Sequence, residues 1–135
     1  MKFIKKLINL FNINFRKDKI LATKPLASRE AYLKIFEIAK KKKISDIEKI
    51  FEYKKVIIDD NWFDDLALTT QIVIKKSDIN YYHGKILYSY LSEYIKENNF
   101  KKILILETGT ARGYSSVCMS KALIDLNVKG KIFTF

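Results

Sequence analysis

Cysteine, proline and glycine are scarce in this chain, and each scarcity excludes a class of structure. Among 135 residues there are one cysteine, one proline and four glycines. A single cysteine, Cys118, can form neither a disulfide framework nor a cysteine metal site within one chain, which predicts a reducing, cytoplasmic location. The low proline and glycine content argues against long linkers and turn-rich all-β folds. No apolar run approaches the roughly 20 residues that span a bilayer, so no transmembrane segment is predicted.

Arginine is also rare, although the chain is strongly basic. The formal net charge is +11, but only Arg16, Arg29 and Arg112 are arginines, so lysine supplies nearly all of the excess. A charge of this size suits nucleic acid or an anionic membrane. Surfaces dedicated to phosphate use more arginine, because its planar guanidinium binds phosphate through paired hydrogen bonds. The composition therefore favours a solvated lysine surface, and no specific binding of nucleic acid is predicted.

Hydrophobic residues make up 48% of the chain and aromatic residues 13%, which is enough for one compact core. Residues 1–80 are predicted to form a mainly helical N-terminal region. Two stretches carry apolar residues at helical spacing on one face, and a third begins with a capping-box pattern. They are Ile4, Leu7, Ile8 and Phe11; Tyr32, Ile35, Phe36 and Ala39, after Pro25 and Ser28; and Ser45 with the residues that follow it.

The pattern of residues 54–83 does not distinguish helix from strand. Two short apolar runs, 56–58 and 71–74, are compatible with strands or with buried pieces of helix, which runs this short do not distinguish. The acidic, aromatic segment 59–65 lies between them. Its four aspartates lack the spacing of a known metal loop and have no further ligands, so a solvated acidic turn and no metal site are predicted. Trp62 and Phe63 are predicted to pack between helices.

From residue 84 onward, helical and strand patterns alternate. A helix is predicted to begin at Gly84 and to end at Asn98 and Asn99. The apolar residues at helical spacing are predicted to face inward, with Lys85 and Ser92 on other faces. The inward set is Ile86, Leu87, Tyr90, Leu91, Tyr94 and Ile95.

The next segment is an unbroken apolar run, 103–106, which is typical of a parallel strand covered on both faces. Residues 115–126 are predicted to form a helix, and residues 131–135 begin a second strand. The inward residues of that helix are predicted to be Val117, Ala122, Leu123 and Leu126. This order predicts an α/β fold: N-terminal helices followed, in residues 81–135, by the first β-α-β part of a parallel sheet with right-handed crossovers.

The turn between the strand and the helix carries residues suited to binding a ligand with an amino-acid end. Its sequence from Glu107 to Gly113 is Glu-Thr-Gly-Thr-Ala-Arg-Gly. Glycine lets the backbone turn sharply and approach a ligand closely. The start of the following helix offers free N–H groups to an anion. The carboxylate of Glu107 can accept a hydrogen bond from an ammonium group, and the turn and Ser115 can bind a carboxylate.

Two familiar phosphate-binding motifs do not fit this turn. A nicotinamide fingerprint needs G-x-G-x-x-G, whereas the glycines here are Gly109 and Gly113, with Ala111 between them. A P-loop needs G-x-x-x-x-G-K-[ST]. The two glycines are one residue too close for that pattern, and Tyr114 stands where the lysine belongs.

The segment resembles motif I of class I S-adenosylmethionine (SAM) dependent methyltransferases, E/D-x-G-x-G-x-G, with Ala111 in place of the middle glycine. The wider string LETGTARGYSS, followed by KAL and GKIFTF, is similar to the branch related to catechol and caffeoyl-CoA O-methyltransferases. That branch also has a glycine before the preceding helix, where this chain has Gly84. The resemblance covers roughly residues 80–135. It implies a Rossmann-like sheet, SAM as cofactor, and methyl transfer to an oxygen or nitrogen of a small-molecule or glycan acceptor.

The resemblance also implies a role for each residue that matches the motif. Glu107 is expected beside the methionine amino group, and Ser115 at the methionine carboxylate. Gly109 and Gly113 are expected to shape the turn, and Thr110, Ala111 and Tyr114 to line the cofactor. His83 and Gly84 are expected near the same pocket edge. His83 is the only histidine and titrates near neutrality, so a catalytic base is the alternative reading of that residue.

Several parts of the family's site have no match in this sequence. The acidic residue that holds the ribose hydroxyls would come directly after Phe135, and the adenine contacts, metal carboxylates and acceptor-side residues would follow later. No catalytic residue is therefore assigned. The chain is expected to be the cofactor-binding front part of a longer enzyme and to be inactive alone.

Two other classes of function stay open. One is a non-catalytic basic module that binds nucleic acid or a membrane surface, which steep salt dependence of binding would favour. The other is a degenerate methyltransferase remnant without a ligand. Association with further copies of the chain is open as well.

Overall fold

The computed structural model describes residues 25–42, 46, 49–50 and 59–135. Within them the chain is mixed α/β, with four helices and a two-stranded parallel sheet. The elements in chain order are α1 (Arg29–Lys41), α2 (Asp60–Thr70), α3 (His83–Glu97), β1 (Lys102–Glu107), α4 (Tyr114–Asp125) and β2 (Lys129–Thr134). The helix predicted at residues 4–11, the capping pattern that starts at Ser45 and the apolar run 56–58 lie outside the described residues.

Helix α1 confirms the periodicity of its sequence. Ser28 is the N-cap residue, and its hydroxyl accepts a hydrogen bond of 3.3 Å from the N–H of Ala31. Phe36 and Ala39 are buried, and Tyr32 packs partly buried against the same core. The face predicted from i, i+3 and i+4 spacing is thus the face that the helix buries.

Helix α2 corrects the prediction of an acidic turn at residues 59–65. The carboxylate of Asp59 caps the helix by accepting a hydrogen bond of 3.1 Å from the N–H of Trp62. Asp60 lies in the first turn, where a negative charge interacts favourably with the helix dipole. Phe63 and Ala67, four residues apart, are fully buried, so the prediction that Phe63 packs between helices is confirmed. The segment begins an amphipathic helix because the carboxylate of Asp59 satisfies one of its free N–H groups and Asp60 interacts with its dipole.

Helix α3 has the predicted extent, with Asn98 as its C-cap, but a different buried face. Tyr90 and Tyr94, predicted to face inward, are exposed, whereas Lys85 and Ser92, predicted on other faces, are buried. Ser92 is buried because α3 packs closely against α4, where small side chains allow the approach, whereas Lys85 is buried because its ammonium pairs with Asp60 and lies over the ring of Phe63 in α2. Large apolar residues would hold the two helices further apart.

The sheet pairs β1 with β2 in parallel, from Lys102 opposite Lys129 to Glu107 opposite Thr134. Ile103 and Ile105 lie half-buried on one face, while Leu104 and Leu106 are exposed on the other. Cover on both faces, as the apolar run predicted, is therefore not found among the described residues. The residues 71–74, left open as strand or helix, form neither.

Helix α4 covers the first face of the sheet. Ala122 and Leu123 are buried as predicted, and a Cβ on Gly130 of β2 would meet Leu123 at 2.6 Å. Val117 is exposed, which corrects its predicted inward position, because the buried stripe of α4 runs through Tyr114, Cys118 and Ala122 instead.

One core cluster joins α1, α2, α3 and α4, with Phe36, Phe63, Tyr88 and Cys118 among its members. It draws residues from both sides of the division predicted at residue 80, and that division stays a prediction. In the part of the chain that the structure describes, no helix is long and apolar enough to cross a membrane.

Candidate functional site

The candidate site lies at the carboxyl end of the parallel sheet. Glu107 is the last residue of β1, Thr134 lies opposite it on β2, and α4 begins at Tyr114. In open α/β sheets, ligands bind outside the carboxyl ends of the strands. The turn 108–113 occupies that position.

The backbone of the turn passes through the left-handed region three times. Gly109 has φ 84°, Ala111 has φ 47° and Gly113 has φ 79°. A Cβ added to either glycine would meet no other described atom within 4 Å, so conformation and not crowding requires glycine there. The left-handed conformation of Ala111 costs free energy for a residue that has a Cβ. In the motif I pattern, the corresponding position is the middle glycine. The space above both glycines is open to the close approach of a ligand.

Hydrogen bonds tie the turn to the end of β2. The carbonyl oxygen of Phe135 accepts from the N–H of Gly109 at 2.8 Å and from the N–H of Thr110 at 3.2 Å. The N–H of Phe135 donates in return to the carbonyl of Glu107 at 3.2 Å, and the hydroxyls of Thr110 and Thr134 are hydrogen-bonded to each other. The turn is thus held from both strands.

The carboxylate of Glu107 is buried and hydrogen-bonded. The hydroxyls of Ser115 and Ser116, in the first turn of α4, each donate to one of its oxygens. Burial by itself would raise the pKa of Glu107, but hydrogen bonds from Ser115, Ser116 and Thr134, with the attraction of His83 in its protonated form, outweigh it and hold the pKa below its ordinary value. Glu107 is therefore a carboxylate at neutral pH. These donors leave part of its accepting capacity for a ligand, because a carboxylate offers about four lone-pair sites.

The first turn of α4 faces the same region. Its N-cap residue is Gly113, which has no side chain with which to cap the helix. The N–H of Val117 bonds to the carbonyl of Gly113 at 2.9 Å, while the N–H groups of residues 114–116 precede the first carbonyl that a helix supplies. A helix start of this kind favours a carboxylate or phosphate.

His83 begins α3, and its ring is held in one orientation. Nδ1 lies 2.9 Å from the carbonyl oxygen of Asn80. Because a carbonyl oxygen only accepts, Nδ1 carries the proton and Nε2 is left as the unprotonated nitrogen of the neutral ring. The ring packs edge-on against Tyr114, with centroids 4.8 Å apart.

Tyr114 and Gly84 lie behind the turn, in the core between α3 and α4. The phenol of Tyr114 is buried and donates a hydrogen bond of 2.9 Å to the carbonyl of Tyr81. A Cβ on Gly84 would lie 2.5 Å from Sγ of Cys118 and 2.6 Å from the Tyr114 ring. These two residues bring α3 and α4 together.

The structure brings most of the predicted residues together. Glu107 and Ser115 are in contact, and the others expected in the turn follow one another along it: Gly109, Thr110, Ala111 and Gly113. The hydroxyl of Ser115 donates to Glu107, so its expected contact with a methionine carboxylate stays a prediction. Ser116 and Thr134 were not predicted. Their only sequence signals are a second serine beside Ser115 and a hydroxyl at the end of the second strand.

Among the described residues, no group of three or more histidine, cysteine, aspartate or glutamate side chains is arranged to hold a metal ion. The site therefore consists of a buried carboxylate, a left-handed glycine turn and an open helix start. No protein-family model, no curated protein and no solved structure significantly matches this chain.

Proposed function

We propose that residues 107–116 form the methionine end of an SAM site and that the chain carries the cofactor-binding part of a class I methyltransferase. The observation that carries the proposal is the buried Glu107 carboxylate, which lies between a glycine turn and the uncapped start of α4. A methionine end presents an ammonium and a carboxylate on one carbon. The site offers a partner for each of them within one strand-turn-helix unit.

The ammonium group is assigned to Glu107. Its lowered pKa keeps the carboxylate charged at neutral pH, and a charge-assisted hydrogen bond from an ammonium is stronger than a neutral one. The serine hydroxyls occupy one site on each oxygen and fix the plane of the carboxylate. Glu107 therefore meets the ligand without having to reorganise.

The carboxylate is assigned to the first turn of α4. Backbone N–H groups at residues 114–116 and the positive end of the helix dipole attract it. Gly113 and Gly109 keep side chains away from the path of the ligand. The Ser115 hydroxyl stays on Glu107 in this arrangement, and the Ser115 N–H takes the role that was expected of the side chain.

SAM supplies an electrophilic methyl group on a sulfonium when it is bound. The described residues contribute binding and orientation, since they hold the amino-acid end of the cofactor and so aim the sulfonium. Much of methyl transfer depends on such positioning, because the methyl group must lie in line with the acceptor atom. The proposed acceptor is a nucleophilic oxygen or nitrogen of a small molecule or glycan.

Calorimetric titration of the full chain with S-adenosylhomocysteine, the product form of the cofactor, tests the proposal. We expect heat of binding in the wild type and an affinity weakened about tenfold to a hundredfold in Glu107→Gln, since a hydrogen bond to a charged group contributes roughly 1.5–3 kcal/mol. Glu97→Gln, an exposed carboxylate at the end of α3, is the matched control and should bind like the wild type. Absence of heat in the wild type at millimolar ligand, or equal binding by Glu107→Gln, would contradict the assignment.

A further inference from the structure

The face of the sheet that α4 does not cover is exposed and carries a strong pattern. We call it the open sheet face; it consists of Lys102, Leu104 and Leu106 on β1 and Lys129, Lys131 and Phe133 on β2. Leu104 is 63% exposed, Leu106 70% and Phe133 50%. Large apolar side chains gathered on one exposed surface mark a contact site more often than chance exposure.

The register divides this face into two halves. Lys102 lies opposite Lys129 at the amino ends of the strands, and Leu106 lies opposite Phe133 at their carboxyl ends. Leu104 pairs with Lys131 between them. The face is therefore basic at one end and apolar at the other, and an open depression of about 340 Å³ runs along it.

The apolar and basic halves of the face determine which kind of partner can bind to it. Parallel strands occur almost only where both faces of the sheet are covered, and helices provide that cover. A second copy of the open sheet face would bring lysines against lysines if the strands of the two copies run parallel, and against the apolar half if they run antiparallel, so neither packing supplies negative charge to the lysines. The apolar half needs an apolar stripe, and the basic half needs negative charge.

We propose that the open sheet face binds an amphipathic helix of a partner polypeptide, with the apolar stripe on Leu104, Leu106 and Phe133 and acidic residues over the three lysines. The carboxyl end of that helix lies at the lysines, because its dipole is negative there. The helix then runs antiparallel to the two strands. This contact is independent of SAM binding, since it uses the side of the sheet opposite Glu107.

Cysteine labelling tests whether the face is open in the chain alone. Leu106→Cys should react with a maleimide about tenfold or more faster than Ile105→Cys, the next residue, which faces α4, because thiol reactivity follows access. The native chain gives the background, since Cys118 is buried and burial raises its pKa to about 12. Equal, slow labelling of both variants in dilute chain would show that the face is already covered and would overturn the proposal.

A designed peptide tests the chemistry of the partner. The probe is an amphipathic peptide of about 18 residues, long enough to form a helix, with leucines at i, i+3, i+4 and i+7 and three glutamates in its last turn. It should bind the chain and protect Leu106→Cys from labelling. The double variant Lys129→Glu/Lys131→Glu should weaken that binding about tenfold, as loss of exposed charge pairs and of the dipole contact predicts.

Two control peptides and two further probes make the test decisive. A peptide with lysines in place of the glutamates, and one with the glutamates moved to its first turn, should bind more weakly than the probe. Equal binding of all three would overturn the proposed charge complementarity. Protection of Leu106→Cys by phosphatidylserine vesicles but not by the probe would assign the face to a membrane surface. Protection that grows with chain concentration alone would assign it to a second copy.

Discussion

At the scale of single residues, Gly84 limits how closely α3 and α4 pack. A Cβ there would stand 2.5 Å from Sγ of Cys118 and 2.6 Å from the Tyr114 ring, closer than real contacts allow. We expect Gly84→Ala to lower the free energy of unfolding by about 1–3 kcal/mol, the usual cost of overpacking, as measured by urea denaturation. Lys96→Ala, at an exposed position of the same helix, should change it little. An unchanged midpoint for Gly84→Ala would show that α3 and α4 are not in close contact.

Ala111 is the residue at which a substitution should stabilise the chain. Its φ of 47° costs alanine roughly 1–2 kcal/mol, while glycine loses about 0.4–1 kcal/mol through its freer unfolded state. Ala111→Gly should therefore raise the free energy of unfolding by about 0.5 kcal/mol. Ala31→Gly, inside helix α1, should lower it by about 1 kcal/mol in the same denaturation experiment. Equal losses in both variants would mean that residue 111 is not left-handed.

At the scale of elements, Asp64 of α2 links three parts of the fold. Its carboxylate accepts hydrogen bonds from the phenol of Tyr81, which precedes α3, and from the ammonium of Lys40 in α1. Because Tyr81 is buried, Asp64→Ala leaves a buried hydroxyl unpaired and should cost about 1–3 kcal/mol. The exposed Asp65→Ala is the control and should cost much less. If the losses in free energy of unfolding caused by Tyr81→Phe and by Asp64→Ala simply add in the double variant, this link is refuted.

The sequence predicts an element well when the element's own side chains determine its structure, and poorly when contacts with other elements determine it. Helix α1 and the strand β1 follow directly from periodicity and from an apolar run, because their own side chains decide their structure. The four aspartates of residues 59–65 predict a turn in place of α2, because they obscure the helical spacing of the buried Phe63 and Ala67. The apolar pattern of α3 predicts the wrong buried face, because Gly84 permits a close helix contact that no hydrophobicity pattern reveals.

The sequence likewise predicts one part of the candidate site and misses another. Glycine spacing after a strand locates the turn and Glu107 from the sequence alone. The hydroxyl groups of Ser116 and Thr134 on that carboxylate depend on where α4 begins and on the register between β1 and β2. Such contacts join residues that are distant along the chain, so local patterns do not contain them.

At the scale of the whole molecule, protonation of Glu107 makes the stability of the fold depend on pH in the acid range. Its pKa is lower in the folded chain than in the unfolded one, so the stability it contributes is present above the ordinary glutamate pKa. That contribution is lost as the pH falls through the lower folded value. In acid titrations followed by circular dichroism, Glu107→Gln should show a shallower loss of stability over this interval than the wild type. A slope in Glu107→Gln identical to that of the wild type would contradict the lowered pKa.

The hydrogen bonds from Gly109 and Thr110 to Phe135 have a kinetic consequence. The turn and the residue that shapes it are separated along the chain by all of α4 and β2. The turn therefore acquires its form only after α4 has folded back and β2 has paired, because that loop must close before the contact exists. By the same reasoning it is among the first parts of the sheet to open. The surface proposed to hold a cofactor is thus completed only once β2 has paired with β1, and a ligand bound there would slow the separation of that pair.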